Sequence, residues 1–230
     1  MGEGAGGRTI LHPQVILPTV SPSTLPVPNP ESLRELFGDI DIYLFDQILK
    51  SRIRSGMKIL DAGCGGGRNL VYFLRCGMAI HAVDSEPEAI NYVRALAARW
   101  APALPADSFR AEPVEAMSFP DESFEVVLSS AVLHFARDEA HFRAMLREMW
   151  RVLRSGGFFF ARLASNIGLE ARPPAGERSL LPDGSVRFLV DEKMLLSLTT
   201  ELQGSLADPI KTTNVQNLRC MTTWCLFKEG

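Results

Sequence analysis

The segment Asp61-Ala62-Gly63-Cys64-Gly65-Gly66-Gly67 sets an acid at the head of a glycine run, directly after the apolar pair Ile59-Leu60 and directly before a helical pattern. Glycine tolerates positive φ and lets a backbone approach a ligand closely, so a loop of this composition between a strand and a helix can cradle the polar end of a cofactor. A flexible glycine turn would use the same residues. A second acid argues for a site: Asp84 closes the apolar run Ala79-Ile80-His81-Ala82-Val83 and so stands at the carboxyl end of the next strand, where open α/β sheets bind ligands. A carboxylate there can accept hydrogen bonds from both hydroxyls of a ribose. Asp84 can also cap the helix begun by Glu86 and Pro87, a role open to Ser85 as well. The dinucleotide pattern G-x-G-x-x-G fails in both registers, because Arg68 and Leu70 stand where its last glycine belongs. A nicotinamide dehydrogenase is therefore disfavoured.

Further along, Ser129, Ser130 and Ala131 end a fourth apolar run and should line the cleft beside the glycine loop at the sheet's switch point. His134 follows in Val132-Leu133-His134-Phe135 and is the titratable side chain best placed to act as a base there; packing at the start of the next helix is its other reading. Asp138 reads as a helix start.

The elements that must position these residues alternate. Short apolar runs at Lys58 to Asp61, Ala79 to Asp84, Phe124 to Ser129 and Phe158 to Leu163 are separated by amphipathic segments at Asn69 to Cys76, Pro87 to Trp100 and Arg137 to Leu153. Such alternation predicts parallel strands with right-handed crossovers and helices on both faces. A helix broken near Gly38 precedes them from Glu31 onward. Residues 165–190, rich in Gly, Pro and charge, read as a lid-like insertion. Asp191 caps a last helix running to Leu202, and Ile210 to Val215 and Arg219 to Phe227 form an edge hairpin around Gln216-Asn217. Residues 1–30 carry six prolines after a Gly-rich start and read as an extended or partly disordered tail, leaving one domain over 31–230.

A chain of 230 residues with 46% apolar content can close one sizeable core. Its 24 basic against 27 acidic residues provide no broad basic surface for nucleic acid. The four cysteines lack metal-ligand spacing, so no metal site is expected, and reduced thiols in a cytoplasmic protein are the simpler reading. No membrane span or secretory leader is visible.

The blocks KILDAGCGGGRN, HAVDSEPEAI, FPDESFEVVLSSAVLHF and RVLRSGGFFFARL, in this order and spacing, resemble the class I S-adenosyl-L-methionine-dependent methyltransferases over roughly residues 31–227. The resemblance implies a Rossmann-like, seven-stranded, mostly parallel sheet in the order 3-2-1-4-5-7-6, with an antiparallel last strand and helices on both faces. It implies S-adenosyl-L-methionine as cofactor, S-adenosyl-L-homocysteine as product and a small-molecule methyl acceptor. Gly63, Cys64 and Gly65 would then underlie the methionine part and Asp61 would order the loop and meet the amino group. Arg68 would face the carboxylate or solvent. Asp84 would hold the ribose, with Ser85 beside the adenine. The adenine amino group would be met by Glu112, or by the backbone near Val114, since Pro113 stands where the family often has Asp. Ser130 would lie by the cofactor's amino group. Tyr43 would cover the cofactor or join the core, and Arg172, Arg178 and Arg187 of the lid would meet an anionic acceptor or solvent. The local similarity is to small-molecule and tellurite-resistance-type methyltransferases. The implied assembly is a monomer or homodimer, and a non-catalytic cofactor-binding sensor is the alternative.

Overall fold

The computed structural model describes residues 29–230, so the expected tail lies almost wholly outside the described residues. The chain enters through two short helices, α1 (Pro30–Phe37) and α2 (Ile42–Leu49), broken at Gly38, which takes φ 65 and closes α1. Each helix start is capped by a side chain: Asn29 accepts the Glu31 amide at 2.9 Å and Asp41 the Tyr43 amide at 2.9 Å.

A mixed sheet follows. Its parallel part comprises β1 (Lys58–Ala62), β2 (Ala79–Asp84), β3 (Phe109–Ala111), β4 (Phe124–Ser130) and β5 (Leu153–Ser165), in the order β3-β2-β1-β4-β5. The crossovers run through α3 (Val71–Arg75), α4 (Pro87–Trp100) and α5 (Glu139–Val152). Strand alternation sends successive residues to opposite faces. Ile59, Val126, Leu128, Phe158 and Phe160 join the core beneath α2, α3 and α4, whereas Leu60, Val127, Phe159 and Ala161 join the one beneath α5 and α6 (Glu192–Glu201). Both faces being covered explains the near-continuous apolar runs of these strands.

The far edge differs from the seven-strand expectation. A hairpin, β6 (Arg178–Leu180) with β7 (Val186–Phe188), forms its own two-stranded sheet. The region read as a lid-like insertion thus contains regular structure, folded about Pro182-Asp183-Gly184, a strong turn sequence. Phe188 fixes the hairpin to the core by stacking on Phe142 with ring centroids 4.9 Å apart. Beyond α6, β10 (Arg219–Lys228) runs antiparallel to β5, and its other edge is shared by β9 (Lys211–Val215) and β8 (Gly204–Leu206). The position of the expected sixth strand is therefore divided in two, making eight strands. The break falls at Asp208-Pro209: proline offers no ladder amide, and Arg52 holds the Asp208 carboxylate through two nitrogens at 2.5 and 3.0 Å. The tight turn at Gln216-Asn217, at φ 50 and 57, closes the expected β9–β10 hairpin.

Candidate functional site

The loop Gly63–Gly67 leaves the carboxyl end of β1 between β2 and β4, the switch point of the parallel sheet. Gly63 must be glycine: its φ is 83, and an added Cβ would sit 2.6 Å from a Val132 methyl. Gly65 takes φ 50, and a Cβ there would meet nothing within 4 Å. That open space belongs to a cleft of about 480 Å³ lined by Gly63, Gly65, Asp84, Ser85, Val114 and Ser130. Sequence-named residues from four separate elements thus converge. Its remaining walls are Pro113 and Glu115, Ala131, Val132 and Phe135 after β4, and Arg137, His141 and Met145 leading into α5.

Asp84 ties the loop to β2. One carboxylate oxygen accepts the Gly65 amide at 2.8 Å and the other the Glu86 amide at 3.0 Å, which leaves lone pairs on both for a ligand. The expected capping of α4 by Asp84 or Ser85 does not occur; Glu86 is the cap position and makes no side-chain cap. Asp61 lies under the loop, 1% exposed, with Oδ2 buried and without a hydrogen-bond partner. Burial pushes its pKa up to about 7, against the pull of Arg68 and with some help from Asp84. Asp61 itself does not line the cleft, though Gly63, two residues on, does; an orphaned buried carboxylate oxygen at the foot of the glycine loop calls for a donor. The ammonium of an amino acid group satisfies that requirement.

Arg68 is half exposed and does not line the cleft, but its head group is held in place. Its guanidinium donates to Ser130 Oγ at 3.1 Å and to Asp41 at 3.2 Å, and Arg162 of β5 donates to the same Asp41 oxygen at 2.8 Å. The Asp41 side chain is fully buried between these two cations. Either arginine alone would still leave the buried Asp41 carboxylate with a cation partner. Tyr43 sits above Arg162, the guanidinium 4.6 Å from its ring centre, with its hydroxyl bonded to Thr213. It does not line the cleft.

Other expectations land elsewhere. Glu112 does not line the cleft; its carboxylate is taken by the Ser118 amide at 2.9 Å and hydroxyl at 2.5 Å, while Pro113 and Val114 supply the wall. Cys64 points into the core at 7% exposure, and burial raises its thiol pKa. Arg178 lines neither this cleft nor its neighbour, and Arg172 lines a separate hollow with Asn166 and Asp191.

Arg187 and His134 meet in a second cavity of about 350 Å³, which shares Ala131 and Phe135 with the cleft. His134 is 5% exposed; burial, then the charge of Arg187, lower its pKa to about 4, so it is neutral near pH 7. Its Nδ1 accepts the Ala164 amide at 3.3 Å. Ala131, between the two cavities, holds φ 64, a left-handed conformation that costs a non-glycine residue of order 1 kcal/mol.

Sequence reasoning missed the wall made by Glu115, Arg137 and His141. Asp138 caps α5 by accepting the His141 amide at 2.8 Å, which fixes His141 in the first turn and Met145 one turn on, on the same face. His141 Nδ1 accepts the Arg137 amide at 3.1 Å, and its Nε2 lies 2.9 Å from Glu115. Burial raises the Glu115 pKa, but its own backbone amide and His141 outweigh that and hold it below the ordinary glutamate value. The spacing from the Asp138 cap was the available signal. Among the described residues no cluster of three metal-ligating side chains occurs, the four cysteines are free thiols, and no helix is long and apolar enough to cross a membrane.

Sheet order, glycine loop and acid at the end of β2 define the class I methyltransferase fold. Residues 60–161 match the family described as a methyltransferase domain. An uncharacterized methyltransferase of Bacillus subtilis, YodH, is 34% identical over 128 residues, covering 54% of this chain and 49% of the relative. The chain spans about half the length or less of the first curated relatives it matches. Among solved structures, the Burkholderia thailandensis 1,6-didemethyltoxoflavin-N1-methyltransferase, bound to 1,6-didemethyltoxoflavin and S-adenosylhomocysteine, superposes with a TM-score of 0.61 at 22% identity, over 80% of this chain and 76% of that one. The cyclase SpnF superposes equally well, at 0.61 and 15% identity over 81% and 80%, so the fold does not by itself fix the reaction.

Proposed function

We propose that this protein is an S-adenosyl-L-methionine-dependent methyltransferase acting on a small-molecule acceptor, with residues 31–230 as the catalytic domain and 165–190 as its lid. The observation that carries the reading is the orphaned Asp61 oxygen beneath a glycine loop anchored to Asp84. Asp61 would receive the cofactor's amino group and Asp84 its ribose hydroxyls. Ser85, Pro113 and Val114 would border the adenine, with the His141–Glu115 pair at the same end of the cleft. Arg68, held by Ser130 and Asp41, would face the carboxylate.

When bound, the cofactor supplies a methyl group already activated by its positively charged sulfur, so alignment and water exclusion are the protein's main tasks. The loop and the segment Ala131–Phe135 hold the two sides of the cleft at a fixed separation. Phe135 and the β6–β7 hairpin flank the region where the two cavities adjoin. A cavity next to the cofactor cleft favours catalysis over a purely sensing role, since a sensor has no use for an acceptor site. The net charge of −3 supports a small acceptor rather than nucleic acid, and a cytoplasmic monomer or homodimer is the assembly proposed.

The reading is tested by supplying S-adenosyl-L-methionine carrying a labelled methyl group together with the small-molecule fraction of a cell extract. Label is expected to appear in a low-molecular-weight product with stoichiometric S-adenosyl-L-homocysteine. Cofactor binding without any turnover across broad metabolite pools would contradict it.

A further inference from the structure

The second cavity has a distinct chemistry. It is separated from the cofactor cleft only by Ala131 and Phe135, which face both. Three guanidinium groups line it, from Arg162 on β5, Arg187 on β7 and Arg219 on β10, against one carboxylate, Asp183. That carboxylate is already engaged: it accepts the Ser185 amide at 2.9 Å and hydroxyl at 2.6 Å and lies 3.6 Å from Arg219. Arg162 shares Asp41 with Arg68, and its Nε is buried without a partner. Arg187 has no ion-pair partner among the described residues. It donates to the Val186 carbonyl at 2.9 Å and lies over the Phe135 ring, 4.9 Å from its centre.

His134 adds a donor rather than an acceptor. Because Nδ1 receives the Ala164 amide, the neutral ring carries its proton on Nε2, the nitrogen left for the cavity. Apolar surface from Phe135, Leu181 and Met221 completes the wall. The cavity therefore offers positive charge and N–H donors beside an apolar surface, while its one carboxylate is spent.

We propose that this cavity is the acceptor subsite and that it selects an acceptor bearing an oxyanion, a carboxylate or a phosphate monoester, on an apolar body. Arg187 and Arg219 are the specificity-determining residues, and the His134 N–H helps fix the oxyanion or a neighbouring oxygen. This assignment rests on the methyl-transfer reading, which makes the adjoining cleft the donor side. Charge-assisted hydrogen bonds to a guanidinium are roughly twice as strong as neutral ones, and an uncharged analogue would leave the arginine donors without a match.

The test uses the full chain saturated with S-adenosyl-L-homocysteine, titrated by ligand-observed NMR with benzoate and phenyl phosphate and, in parallel, with benzamide and benzyl alcohol. Each acid is expected to bind at least about tenfold more tightly than its neutral counterpart. In Arg187→Gln and in Arg219→Gln that ratio is expected to fall toward one. S-adenosyl-L-homocysteine affinity should be unchanged in both variants, which also reports that they fold. Neutral probes binding as tightly as the acids, acids that do not bind at all, or an acid preference that survives both substitutions would overturn the proposal. A chain that fails to bind S-adenosyl-L-homocysteine would instead count against the cofactor assignment. The acid-to-neutral ratio, read on the ligand-free chain, would still decide the character of the cavity.

Discussion

Asp84→Ala is expected to weaken S-adenosyl-L-homocysteine binding by about 10²–10³-fold, the loss expected from two charge-assisted hydrogen bonds. In the free chain this carboxylate already accepts the Gly65 and Glu86 amides, so it arrives at the cleft fixed in orientation rather than as a mobile side chain. Its removal therefore acts twice. The ribose loses an acceptor, and the Gly65 amide, which helps set the loop at φ 50, loses its anchor. Glu112→Ala, immediately past the end of the neighbouring β3, serves as the contrast: its carboxylate is committed to Ser118, and its loss is expected to change affinity by less than about threefold. Calorimetric titration of the two variants distinguishes the acids. Equal losses would mean that Asp84 has no special part in the site.

The second large effect is on pH. Burial raises Asp61 to about 7, so in the ligand-free chain a large share of this group is protonated near neutrality and nearly all of it is at pH 5. An ammonium arriving above it requires the ionised form. Affinity for S-adenosyl-L-homocysteine is therefore expected to fall about tenfold per pH unit below 7, a drop approaching a hundredfold between pH 7 and 5. Asp61→Asn should bind weakly at every pH and flatten the profile. The same shift has the opposite sign for the folding of the ligand-free chain. The folded form holds a proton that the unfolded chain, with its ordinary value of 3.8, releases. That contribution to stability is fully present below about 4 and is lost as the pH rises through about 7. Thermal melts with and without ligand should thus diverge as the pH rises from 5 to 7. A pH-independent affinity in the wild-type chain would contradict the role given to Asp61.

Much of this architecture was legible because it depends on local signals. Apolar alternation fixed β2 at Ala79 to Asp84, Pro87 marked the start of the helix ending at Trp100, and Asp191 caps α6 by accepting the Met194 amide at 2.7 Å. The glycine loop and Asp84 were readable because their spacing reflects a strand-loop-helix unit, and both line one cleft. What escaped depends on contacts between distant segments. The divided edge strand follows from Arg52 drawing Asp208 aside across 156 positions of sequence. The His141–Glu115 contact and the burial of Asp41 between Arg68 and Arg162 likewise join distant residues, although the Asp138 cap alone placed His141 in the first turn of α5. Glu112 shows the converse: its position in the sequence suited an adenine contact, yet a serine six residues on was nearer.

The most direct test of the central claim is a calorimetric titration of the unmodified chain with S-adenosyl-L-methionine, S-adenosyl-L-homocysteine and NADH. The two sulfur compounds are expected to bind once per chain, with Kd between about 1 μM and 1 mM, and NADH not to bind measurably. NADH binding with no response to either sulfur compound would contradict the account.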